Sequence, residues 1–161
     1  MKQNLTLTSY LRTLSIIHTS LIMGPIILGA LLYFDTTKES IRFSFDLNTL
    51  FYVVPIVGLA GIFIGNLLYR NFLARIPTNL SLKQKLVRYQ TASITKYALV
   101  EIPTFLGVFA FMITHNLFFL LVSAVLVLYF ISLRPTTSGL AKNLELTRLE
   151  KSIFERPDEP I

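Results

Sequence analysis

Glu101 stands in the run ALVEIPTFLG (98–107), a stretch otherwise almost free of polar side chains. Keeping a carboxylate ionised in hydrocarbon costs a few kcal/mol, so such a group takes up a proton or finds a donor. Proton or cation binding is therefore the chemistry that Glu101 offers. Tyr97, one turn earlier, lies on the same helical face with Thr104, Phe105 and Val108. Its hydroxyl can donate one hydrogen bond. His18, inside the first apolar run at comparable depth, can donate another. Lys96 lies about 140° away around a helix from Glu101 and does not share its face.

These residues do not assemble into an enzyme. No nucleophile–base pair, phosphate-binding loop or metal cluster is present in the sequence. Cysteine is absent, which removes thiolate metal sites and thiol–disulfide chemistry. His115 sits at a turn and His18 well inside the first run, too far apart in depth for a two-histidine haem. No second ligand follows either histidine at helical spacing. The expectation is a non-enzymatic chain with no metal and no cofactor.

Four apolar runs must position these side chains: 14–34, 50–69, 97–114 and 117–133. Each approaches or reaches the roughly 17–25 residues that a membrane-crossing helix needs. Hydrophobic residues make up 53% of the chain and charged residues 15%, against roughly 25% charged in a soluble domain. The fold class expected is all-α: a bundle of four transmembrane helices over 1–134, with a cytoplasmic tail over 135–161. The first run is too long for a signal peptide and lacks a small-x-small cleavage site, so it reads as a retained helix. Leucines at 140, 144, 146 and 149 with Ile153 suggest a short surface helix in the tail, ending before Pro157.

Charge sets the orientation. Thirteen of the fifteen cations fall on one side of a four-span topology: the amino terminus, the segment between the second and third runs, and the tail. Only Lys38 and Arg42 fall on the other side, beside Asp35, Glu39 and Asp46. Positive residues collect in cytoplasmic loops, which puts both termini in the cytoplasm. The partner implied first is the lipid bilayer, with some attraction to anionic head groups. The net charge of +6 is thus a topology signal, and nucleic acid is not expected as a partner.

Two further patterns concern packing. TLSIIHTSLIMGPIILG (13–29) aligns with TASITKYALVEIPTFLG (91–107) at seven identical positions, including Pro25 with Pro103. A duplicated helical hairpin, giving two tandem repeats, accounts for the match. Both prolines bend their helices and free a carbonyl one turn back, at Leu21 and Leu99. Met23 and His18 fall opposite Glu101 and Lys96, so only the second copy carries the carboxylate. In the second run Gly58, Gly61 and Gly65 form a smooth face for close helix approach, with Gly61 and Gly65 as a GxxxG pair.

The order GLAGIFIG, LARIP, ALVEIPTFLGVFAFM resembles the proteolipid (c subunit) hairpin of rotary ATP synthases over residues 58–112. That resemblance implies helix-packing roles for Gly58, Gly61 and Gly65, a loop signature at Arg75 and Pro77, and a proton-carrying role for Glu101. The chain departs from the family pattern in its longer loop, in bulky Phe63 and Tyr69, and in one extra helix on each side. Over its whole length it is similar to small four-helix inner-membrane proteins of bacteria. The function expected is a non-enzymatic accessory or structural membrane protein, packing against itself as a homo-oligomer or against a membrane-complex partner. The alternative is a proton- or cation-handling protein that uses Glu101.

Overall fold

The computed structural model of the chain describes residues 6–45, 48–144, 146, 150, 152, 154, 156 and 158. All regular structure among them is helical: α1 (Leu7–Asp35), α2 (Thr49–Ala74), α3 (Leu82–Thr114), α4 (Leu117–Ser132) and the short α5 (Thr137–Asn143).

Caps extend the helices well beyond the apolar runs. Thr6 and Ser9 exchange backbone-to-side-chain hydrogen bonds of 3.1 Å each, which starts α1 at Leu7 rather than near 14. Ser81 and Gln84 form the same reciprocal box, so α3 begins at Leu82 instead of 97. Each cap satisfies backbone donors that the first turn leaves free, worth about 1 kcal/mol. Hydropathy marks where a helix becomes apolar; capping marks where it begins. Asn48 and Asn116 cap α2 and α4 in the same way.

The centre of the packing is α3. It lies against α2 most extensively, then against α4 and α1, while α1 and α2 scarcely touch. Two equivalent hairpins would make α1 and α2 neighbours as α3 and α4 are, so the sequence repeat is not expressed as a twofold packing. Small residues explain the asymmetry. A Cβ on Gly61 would collide with the Leu99 carbonyl oxygen of α3, while one on Gly65 would make ordinary contact with Lys96 and Leu99. On the other flank, a Cβ on Gly107 would collide with the Ser123 hydroxyl of α4. Gly29 of α1 instead meets only side-chain tips, of Leu120 and Val108.

By length and composition α1, α2 and α3 can each cross a membrane, and α4 with α5 forms a fourth pair bent by 77°. The outward faces are apolar: Phe63 is 69% exposed, Leu128 67% and Ile102 62%. Pro55 sits inside α2 as Pro25 and Pro103 sit inside α1 and α3, an interior proline additional to the repeated pair.

The two ends are built differently. At the end where α1 starts and α4 finishes, Leu7, Tyr10 and Leu14 pack with Leu86, Tyr89, Phe130 and Leu140. Leu140 and Leu144 are buried there, so the start of the tail is folded onto the bundle rather than lying free of it. Lys85, 1% exposed, pairs with Glu150 at 2.9 Å, and Thr8 donates to Asp158 at 2.7 Å. Leu149, Ile153 and Pro157, over which the tail helix was expected to run and stop, lie outside the described residues, as do Lys2, Asp46, Arg148 and Lys151 of the charge count.

At the opposite end the 35–49 connection is stitched to the α3–α4 turn. Arg42 accepts from Leu117 N–H at 2.9 Å and donates its own N–H to the His115 carbonyl at 3.0 Å. The buried Asn116 amide donates to the Ser44 carbonyl at 2.8 Å and accepts from Ser44 N–H at 3.3 Å. His115 makes the turn with a left-handed backbone, φ 53°.

Candidate functional site

Pro103 has no N–H to offer the Leu99 carbonyl one turn back. That oxygen occupies the space that the missing side chain of Gly61 leaves open. A Cα–H donor can approach it there, a weak contact worth about half a kcal/mol. The glycine face of α2 and the proline of α3 are thus one device. The three glycines are buried inside this chain, against α3 at Gly61 and Gly65 and against Leu126 of α4 at Gly58.

Glu101 points to the other side of α3, toward α1. Its Oε1 lies 4.0 Å from where a Cβ on Gly24 would stand, next to the Phe105 ring, which lies at 3.1 Å. The residue is neither buried nor freely exposed. Among the described residues nothing donates a hydrogen bond to its carboxylate, and no cation pairs with it. Ile102 beside it faces outward.

His18 and Tyr97 do come together, ring centroids 4.9 Å apart, with Phe130 completing an edge-to-face group at 5.3 Å from His18. Neither serves Glu101. His18 Nε2–H donates to the Phe130 carbonyl at 2.9 Å, and the Tyr97 hydroxyl donates to the Leu133 carbonyl at 3.3 Å. The last carbonyls of a helix have no partner within it. Side chains from α1 and α3 therefore cap the end of α4, a role that no local pattern in the sequence could reveal because the donors come from other helices.

Thr104 and Ser123 add a second tie between α3 and α4. The Ser123 hydroxyl donates to the Thr104 carbonyl at 2.9 Å, while Thr104 bonds back to the Val100 carbonyl at 2.8 Å. Arg75 caps the end of α2, and Pro77 follows in the short connection; both are exposed.

Sequence reasoning missed a set of polar residues at the basic end. Lys96 places its ammonium 5.0 Å above the Tyr69 ring, and Tyr69 meets Tyr89 edge to face at 6.1 Å. The available signal was the spacing of Tyr89, Lys96 and Tyr97, which becomes two turns of one helix once α3 is extended to Leu82. Comparison of the chain with family models, with curated proteins and with solved structures gives no match.

Proposed function

We propose that the chain is a small multi-pass integral membrane protein, a non-enzymatic accessory or structural subunit whose docking face is the α1–α3 groove at Glu101. In this reading α1 to α4 span a bacterial cytoplasmic membrane, with the basic end in the cytoplasm. The apolar outward faces support the membrane environment, and the cation asymmetry supports the orientation. The observation that carries the docking role is Glu101. A carboxylate beside a glycine and at the edge of the lipid-facing surface has no donor from the described chain. A donor from another helix, of a second copy or of a different subunit, completes it.

The glycine face of α2 is not that surface, because α3 and α4 already cover it. The test is photo-crosslinking from position 102, next to Glu101, against position 128 as an outward-facing control. The expected result is a discrete adduct from 102 that Glu101→Leu abolishes and Glu101→Gln preserves, since the amide keeps hydrogen-bonding capacity. Equal, diffuse labelling from both positions would sink the docking role.

The same isolated carboxylate favours a second reading, proton or cation handling at Glu101, for which the proteolipid resemblance is the model. Here Glu101→Gln is the discriminating variant in the opposite sense. It removes the titrating group, so pH-dependent labelling by a hydrophobic carbodiimide and any proton flux would be lost while assembly persists. Normal flux in Glu101→Gln rejects this second reading.

A further inference from the structure

At the basic end a cavity of about 190 Å³ opens between α2, α3, α4 and α5. Among the described residues it is lined by Lys96, Arg134, Tyr69, Tyr89, Tyr97 and Ser93, with others, and by no aspartate or glutamate. At about 30 Å³ per water, it holds some six waters, enough for a phosphate group and part of a glycerol. Lys96 is half-buried, and its interaction within the described chain is with the face of Tyr69. Neither Lys96 nor Arg134 forms an ion pair with a described residue. Two cations facing one partly enclosed space, with no acid among its described lining residues, favour an anion there.

The geometry points to a phosphate-binding site here, occupied by the head group of an anionic phospholipid. Lys96 and Arg134 neutralise the phosphate through charge-assisted hydrogen bonds. The depth fits. Lys96 stands where α3 passes from its polar first turns into the apolar run, the level at which lipid phosphates lie and at which basic pockets between helices hold head groups. The head-group source rests on the membrane reading; phosphate recognition by itself does not.

A neighbouring cavity of about 340 Å³ provides an internal control. It shares Asn143 with the first and carries Arg70 and Lys142, both exposed. The full chain in mild detergent would be titrated separately with short-chain phosphatidylglycerol, short-chain phosphatidylcholine and inorganic phosphate. Adducts would be read by native mass spectrometry and by the shift in thermal midpoint. Phosphatidylglycerol is expected to bind more tightly than phosphatidylcholine. The double variant Lys96→Gln/Arg134→Gln should bind it about 30-fold more weakly, the loss of two interfacial cations. Arg70→Gln/Lys142→Gln removes the same charge next door and should leave binding within about threefold.

Because Lys96→Gln can disturb packing, Arg134→Gln alone at an exposed position should lose roughly fivefold with an unchanged unliganded midpoint. Binding of inorganic phosphate without phosphatidylglycerol would support the site and assign it to a soluble phosphate. Equal losses in both double variants would overturn it, as would no binding of either phosphate source. Release of the chain from membranes by alkaline carbonate would defeat the membrane reading while leaving the phosphate titration interpretable.

Discussion

Gly61 shows how one absent side chain sets an interface. Its neighbour is a backbone carbonyl, Leu99, which cannot move aside as a flexible side chain can. Gly61→Leu should therefore destabilise the fold itself by about 3 kcal/mol, the upper range for overpacking, seen as a lowered unfolding midpoint in detergent. Gly24 offers the contrast, since the ring tip of Phe105 is the nearest obstacle there, and Gly24→Ala should be tolerated. If Gly61→Leu unfolded like the parent protein, the contact between Pro103 and the glycine face would not hold α2 to α3. Glu101 belongs to the same scale. Its carboxylate has no hydrogen-bond partner among the described residues, whereas the hydroxyls of Thr104 and Tyr97 both find acceptors within the chain.

Among the elements, the tail has helical residues at Glu150, Ser152 and Phe154, and its start is packed into the bundle. Leucines at helical spacing suggest a surface helix, but Leu140 and Leu144 belong to the core at the basic end. The Lys85–Glu150 pair fastens the segment beyond them, with the ammonium buried. Removing one partner of such a buried pair costs about 3 kcal/mol. Glu150→Gln should thus detach the tail, and trypsin should cleave after Lys142 much faster than in the parent protein. Unchanged cleavage would show that Leu140 and Leu144 alone secure the segment. The loop at the other end is held by Asn116 instead, through its amide bonds to Ser44 and its cap on α4.

At the scale of the whole molecule, the charge asymmetry and the apolar exterior are the grounds for the proposed orientation in a bilayer. A chain without cysteine lets that be measured directly. Single cysteines at the exposed positions Lys38 and Thr78 lie at opposite ends of the bundle. Lys38→Cys should react with a membrane-impermeant maleimide in intact cells, and Thr78→Cys only after permeabilisation. The reverse pattern would place the basic end outside and reject the proposed topology.

The sequence by itself determined that the chain is helical, that three to four of its helices are long and apolar, and which residues break or smooth them. Those properties follow from composition and local spacing, which each segment carries alone. Helix starts were legible in Thr6–Ser9 and Ser81–Gln84, although the apolar runs drew attention away from them. Tertiary structure decided which element sits at the centre, because α3 receives Gly61 and Gly65 from one side and Ser123 from the other. It also decided the use of the polar side chains. His18 and Tyr97 lie close enough in depth to reach Glu101, yet the carbonyls of Phe130 and Leu133 at the end of α4 accept their hydrogen bonds. Which acceptor wins depends on where a third helix ends in space, and no spacing along one helix contains that distance.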